Sequence, residues 1–265
     1  MRLARKDKHS AEGQFKRDAL LGIAHIQFQM GTVSYVQTGF DAEKFMTKLV
    51  GTLMSSERVW LSLFPGDSTR MKNFDSDVWL KDKDRAYANS KLQMCATPLS
   101  AADLPVEMYF AGYRLNASKF PEFFKGGGFF VMSRALKAVF EAHDLGKTTF
   151  KPVTLYARDR KTLTPGEWFT INFGETKDSY LPEKSEGSYP GTWIDGTWKI
   201  PPTAAAENDV VALAPAALSG VDFWKEETVP RVFFFSDRLA KALKDAKLAK
   251  WFRLKRCRID RTALH

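Results

Sequence analysis

Apolar residues along this chain follow two periods, alternating over short stretches and returning every three or four positions over others. That mixture predicts an α+β fold. Near the N-terminus, Ile26-Gln27-Phe28-Gln29-Met30 alternates and residues 32–36 are rich in β-branched and aromatic types, which predicts a hairpin around Gly31. Asp41 then reads as a helix cap, with Phe40 placed to staple the first turn and Phe45, Leu49 and Leu53 recurring every four residues. Gly51 weakens that helix. Residues 58–64 read as a strand ended by Pro65-Gly66-Asp67, and residues 105–115 as another with Val106, Met108 and Phe110 on one side.

One pattern occurs twice. Phe129-Phe130-Val131-Met132-Ser133 precedes Leu136, Phe140 and Leu145, and Phe233-Phe234-Phe235-Ser236 precedes Leu239, Leu243 and Leu248. Counted from each serine, the apolar positions fall at +3, +7 and +12 in both copies, with Phe150 at +17 and Phe252 at +16. Each serine ends a run that is apolar on both faces, and its hydroxyl suits an orphan helix N–H. The helix that follows carries a stripe, Leu136, Val139 and Phe140 in one copy and Leu239, Ala242 and Leu243 in the other. Extended segments over residues 150–156 and 252–259 complete two strand–helix–strand units packed on a shared sheet. The expected organisation is a basic arm over residues 1–18, an α/β subdomain over 19–100 and the main α+β domain over 101–262.

Between the two units, residues 167–173 alternate as a strand, and residues 174–209 form a long irregular stretch rich in Gly, Ser, Pro and Thr. An irregular connection of that length is unusual within a compact domain. It contains Trp193-Ile194-Asp195-Gly196-Thr197-Trp198-Lys199, where Asp195-Gly196 is a favoured two-residue hairpin turn. Strands flanking that turn directly would set Trp193 against Trp198. Such a pair either caps the domain's own core or forms an exposed anchor for a partner.

Composition narrows the function. The chain has 265 residues, 44% of them hydrophobic and 27% charged, as in an ordinary globular protein able to bury a core without metals or disulfides. Its two cysteines, Cys95 and Cys257, fit a reducing compartment. Arg2, Arg5, Lys6 and Lys8 resemble the basic start of a secretory signal, but His25, Gln27 and Gln29 interrupt the apolar run that follows. A cytoplasmic protein is expected. The formal charge of +9 is concentrated between Arg231 and Arg258, where ten Lys or Arg face only Asp237 and Asp245. That face attracts anionic partners, whether nucleic acid or an acidic protein, unless it is simply a solvated surface.

No constellation for catalysis emerges. His9, His25, His143 and His265 stand apart, none with a second His or Cys at metal-ligand spacing, so neither metal nor cofactor is expected. His143 falls near a helix end, where it complements the dipole. Gly146-Lys147-Thr148 lacks the upstream glycine of a phosphate loop, since position 141 is Glu. Gly126-Gly127-Gly128 reads as a flexible approach to a buried strand.

Three stretches carry a family resemblance: Phe130-Val131-Met132-Ser133-Arg134-Ala135-Leu136, then Glu167-Trp168-Phe169-Thr170-Ile171-Asn172-Phe173, then Pro230-Arg231-Val232-Phe233-Phe234-Phe235-Ser236-Asp237-Arg238-Leu239. Over roughly residues 100 to 260 the chain resembles the immunity proteins of bacterial polymorphic-toxin and type VI secretion loci, the group numbered eleven. Asp178-Ser179 matches the polar loop of that group. The resemblance implies a mixed α/β domain without catalysis that neutralises a toxin protein by binding it. Inhibitors of nucleases often carry acidic surfaces, and this basic chain departs from that pattern. Partner-binding residues are expected in the hairpin, at Trp193, Asp195, Trp198 and Lys199, and on the basic flank, at Lys241, Lys244, Arg253 and Arg256. The alternatives are a nucleic-acid-binding accessory protein using the basic flank, and an enzyme with an unrecognised site.

Overall fold

The computed structural model describes residues 57–112, 120–192, 194–202 and 207–264, all within the unit Gly51–His265. The hairpin around Gly31 and the helix from Asp41 lie outside the described residues. The strands in chain order are β1 Val59–Ser62, β2 Phe74–Ser76, β3 Glu107–Phe110, β4 Phe123–Gly126, β5 Phe129–Ser133, β6 Thr149–Tyr156 and β7 Trp168–Asn172. They continue with β8 Thr176–Lys177, β9 Tyr189–Pro190, β10 Trp198–Lys199, β11 Ala212–Leu213, β12 Phe223–Glu226, β13 Val229–Ser236, β14 Lys255–Arg256 and β15 Arg258–Ile259. The helices are α1 Asp77–Lys81, α2 Lys83–Met94, α3 Arg134–Glu141 and α4 Asp237–Asp245. The fold is mixed α+β.

Both repeat serines cap their helices. Ser133 Oγ accepts from the Leu136 N–H at 3.3 Å, and Ser236 Oγ from the Leu239 N–H at 3.2 Å. Each is held from behind by an acid that the sequence pattern did not reveal. The serine hydroxyl donates to the carboxylate of Glu122 in one copy and Asp222 in the other, and the serine N–H donates to the same residue's carbonyl at 2.9 Å in both. That acid immediately precedes the partner strand of a hairpin, so the repeating unit is an acid, a hairpin, a serine and a helix.

The first hairpin turns on Gly127 and Gly128, at φ +54° and +89°, with Gly126 opposite Phe129. Two consecutive positive φ values define the turn that matches strand twist, so these glycines are a tight hairpin turn rather than a flexible approach. A Cβ on Gly127 would lie 2.8 Å from the Ser76 nitrogen. In the second hairpin Glu227 and Thr228 make the turn, and a register shift between Trp224 and Glu226 accommodates it.

The expected shared sheet is instead two sheets. One runs β2-β3-β6-β7-β5-β4 and the other β14-β1-β13-β12-β8. The copies correspond strand for strand: β4-β5-β7-β6 in one sheet, β12-β13-β1-β14 in the other, with every neighbouring pair antiparallel. Trp168 of β7 lies opposite Ser133, and Val59 of β1 lies opposite Ser236. The second copy thus borrows its third strand from far upstream. The boundary expected at residue 100 therefore runs through both sheets, since β1 and β2 belong to them. The segment expected as one strand over residues 252–259 divides at Cys257, β14 pairing with β1 and β15 with β11. Val106 precedes β3 and is 53% exposed, while Met108 is fully buried.

Alternation along β13 shows why two sheets form. Phe233 and Phe235 point to a core shared with Phe123, Phe130, Met132, Leu136, Phe140, Ile171 and Phe173, together with Leu239 and Leu243 of α4. Val232 and Phe234 point the other way, toward Val59, Leu61, Tyr180, Ile200, Val211 and Leu213. Tyr180, Trp198 and Ile200 of the stretch after β7 therefore cover the outer face of the second sheet.

β12 alternates likewise but ends in charge. Lys225 is fully buried on the inner side, donating to the Gln93 carbonyl at 2.6 Å and the Met94 carbonyl at 3.2 Å, with its Nζ 4.1 Å from the Phe173 ring centroid. It thereby adds a donor to two carbonyls at the end of α2, where the Gln93 carbonyl otherwise has the Ala96 N–H at 3.3 Å. Gln93 also donates to Asn172 Oδ1 at 3.0 Å and accepts from the Phe173 N–H at 2.9 Å, so the end of α2 is tied to both sheets. On the outer side, the Glu226 carboxylate accepts from Ser179 N–H and Oγ, the Tyr180 N–H and Trp224 Nε1. The Asp178-Ser179 loop is therefore the cradle of a buried carboxylate, whose pKa burial raises against the pull of these donors. Lys177 lies over the Trp224 ring at 3.5 Å and donates to the carbonyls of Ala217, Ser219 and Val221.

Two outcomes follow from these buried groups. Ser236→Ala removes a cap and leaves the Asp222 carboxylate short of a donor, so urea unfolding should show a loss of about 1–2 kcal/mol. Burial pushes Lys225 down to about 7 and Lys177 to about 8. An unfolded lysine holds its proton to about pH 10.4, so the native state binds fewer protons in between, and stability rises with pH from about 7 upward. Below that window both states are protonated and the slope vanishes. Urea midpoints at about pH 7 and 9 should show the rise, and Lys225→Met should reduce it to the part that Lys177 contributes.

Candidate functional site

A cleft of about 770 Å³ opens between the end of β1, the β9–β10 hairpin, β13 and the chain after α4. Four chain segments line it, and each is fixed by the fold. Ser62, at the end of β1, donates from Oγ to the Phe252 carbonyl at 2.6 Å and accepts the Phe64 N–H at 3.1 Å. Phe64 starts a short 3-10 turn with Pro65 in its first positions, and its ring packs 4.4 Å from Phe123. That turn delivers Asp67 and Arg70 to the cleft.

The second wall comes from the hairpin. Ile194 to Thr197 form a β-turn with Asp195 and Gly196 at its centre, Gly196 at φ +73° and the Thr197 N–H donating to the Ile194 carbonyl at 3.3 Å. The expected turn is therefore present, but its ladder is not the expected one. Trp198 lies opposite Pro190 and Lys199 opposite Tyr189, so position 193 is not the cross-strand partner of Trp198. Trp193 itself lies outside the described residues. The Trp198 N–H donates to the Thr228 carbonyl at 2.7 Å, docking the hairpin on the β12–β13 turn. Tyr189, Trp198, Lys199 and Ile200 then face the cleft.

The remaining lining comes from β13 and from the chain after α4. Arg231 is the one exposed position in a strand otherwise buried from Val229 to Phe235. Past α4, Lys247 at φ +59° closes the helix while the Leu248 N–H reaches the Leu243 carbonyl at 2.8 Å. Phe252 is buried, and Arg253 turns the chain at φ +50° into β14. Trp251, Arg253 and Lys255 consequently line the cleft.

Charge in the cleft is one-sided. Arg70, Lys199, Arg231, Arg253 and Lys255 line it against a single acid, Asp67. Asp67 lies 3.5 Å from Arg70 Nε and 3.6 Å from Arg253 Nη1, so it sits between two of these cations. Cations gathered around a concavity concentrate their field there. The described lining contains no His, Cys or Glu. Such a surface is equipped to attract and bind an anionic group.

Of the residues expected from sequence to meet a partner, Trp198, Lys199 and Arg253 come together in this cleft. Asp195 is exposed at the tip of the hairpin turn. Arg256 is occupied elsewhere, its Nε donating to Asp209 Oδ1 at 2.8 Å with a second bond from Nη2 to Oδ2. Lys244 Nζ lies 3.4 Å from the Trp60 ring centroid, while Trp60 Nε1 donates to Asp237 at 2.8 Å. Lys241 is exposed on α4 and outside the cleft lining. Arg70 and Tyr189 carry no signal in the sequence, whereas Arg231, a charge breaking an apolar run, and Trp251 and Lys255, within the basic flank, join the cleft without having been singled out there.

The other candidates for chemistry resolve into structure. His143 lies just past α3 with Nδ1 2.8 Å from the Val139 carbonyl. Around Gly146 the Lys147 N–H donates to Glu175 Oε1 at 2.6 Å, so a side-chain carboxylate occupies that turn. Among the described residues no group of three or more His, Cys, Asp and Glu is placed to hold a metal ion, and no helix is long and apolar enough to cross a membrane. Both cysteines are free, and burial raises the Cys257 thiol.

The Arg256–Asp209 pair is shape-matched but wet, at 38% and 39% exposure. A double-mutant cycle on Arg256→Ala and Asp209→Ala should therefore give a coupling in stability below about 1 kcal/mol.

Among curated proteins none matches the chain. Residues 72–253, which span the second hairpin and helix and reach the cleft at Arg253, match the immunity protein family Imm11, and the chain belongs to that family.

Proposed function

We propose that this protein is the cytoplasmic antidote to a bacterial toxin, encoded with it in a polymorphic-toxin or type VI secretion locus, and that it acts by binding rather than by catalysis. It engages the toxin one-to-one and blocks or distorts its active site. Membership of an immunity family supports a toxin partner. The observation that carries the binding mode is the cationic, aromatic cleft built from Asp67–Arg70, the β9–β10 hairpin and the chain after α4. Its two tryptophans and its arginines are the residue types that dominate interface energies. A cation-lined concavity also suits an acidic surface on the toxin and accelerates its capture.

Co-expression supplies the test. The toxin gene adjoining this one should arrest growth when expressed alone, and this chain should restore growth and co-purify with the toxin in equal amounts. Growth arrest that persists despite abundant, folded antidote would end the proposal.

A further inference from the structure

Resting on that reading, we infer that the cleft receives an extended acidic segment of the partner protein, with apolar side chains interspersed among its carboxylates. The volume, about 770 Å³, falls in the range of pockets that enclose ligands rather than of shallow surface dimples. Its lining is of two kinds, and the occupant must match both.

The first kind is positive. Lys199 and Lys255 have no carboxylate partner among the described residues; the Lys199 ammonium has only Thr192 Oγ1, at 3.2 Å, and the Tyr189 ring. Arg253 and Arg70 both lie within 3.6 Å of the Asp67 carboxylate, which biases the two guanidiniums toward the same corner of the cleft. Preorganised donors lose less freedom when a carboxylate arrives. The second kind is apolar: Leu63, Ile200, Pro201 and the rings of Trp198 and Trp251.

A nucleic acid would satisfy the positive groups and leave the proline and aliphatic wall unmatched. Phosphates spaced along a strand also call for cations along a track, whereas these gather around one concavity. A peptide that alternates acidic and apolar residues meets both kinds of lining at once.

The probe is a short fluorescein-labelled peptide of alternating glutamate and leucine, followed by fluorescence anisotropy with the full chain. The same measurement is made on a lysine–leucine peptide and on a single-stranded oligothymidylate. The glutamate peptide should bind, weaken as salt is raised, and outcompete both controls. Arg253→Glu and, separately, Lys255→Glu should each weaken it by about tenfold, with unchanged melting temperature, while Lys241→Glu outside the cleft changes nothing. Binding of the glutamate peptide that ignores both cleft reversals overturns the inference, as does its failure to bind. Tighter binding of the oligothymidylate overturns it in favour of nucleic acid. Toxin neutralisation is scored separately with the same variants. Neutralisation that survives both reversals refutes the acidic-segment mode and leaves the antidote function standing; peptide binding without neutralisation by the wild-type chain does the reverse.

Discussion

Phe233 lies with its ring centroid 5.1–6.1 Å from those of Phe130, Phe173 and Phe123, and across these contacts two sheets meet. A sheet with an aromatic face has to cover it, and here each copy of the repeat covers the other. The remaining features serve that apposition. The capped serines set the angle at which α3 and α4 leave their strands and enter the same core. Lys225 crosses from the second sheet to close the end of α2, which Gln93 and Asn172 fasten to the first. A buried ammonium is tolerated there because it faces two carbonyls and three aromatic rings.

Much of this was legible in the residues. The spacing from each serine located both helices and their buried positions Leu136, Phe140, Leu239 and Leu243, because a capping hydroxyl and a helical period are local properties; Ala240 is buried rather than Ala242, and Leu145 and Leu248 lie past the helix ends. What the spacing could not carry was partnership between distant segments. Val59–Ser62 is an unremarkable apolar strand by itself, and nothing in it says that it completes a copy whose hairpin lies far downstream. Glu122 and Asp222 were invisible for the same reason: each looks like a surface acid until the hairpin folds it behind a serine. Trp198 lies opposite Pro190 because Asp195-Gly196 fixes a turn but not where the ladder resumes. Gly126-Gly127-Gly128 closes a tight turn because Gly126 pairs with Phe129, a register that three successive glycines do not announce.

Of the candidate site, the sequence revealed charge and aromatic content but not their convergence. Basic residues after Arg231 were read as one flank, yet the structure divides them. Arg256 and Lys244 brace the fold, Lys241 stays in water, and Arg231, Arg253 and Lys255 join Arg70 and Lys199 around a concavity. Uniform basicity along a sequence is thus resolved into separate roles only by the chain's path, chiefly the reversal at Arg253 and the docking of Trp198 on Thr228.

The borrowed strand bears on when this protein becomes itself. Val59 pairs with Ser236, and the cleft combines residues near Leu61 with others near Phe252, so opposite ends of the unit must both be in hand. During synthesis the early strand leaves the ribosome long before its neighbours exist, and such distant pairings are slow to form. The cleft therefore cannot exist until both segments are present, and a chain lacking either one has no such concavity.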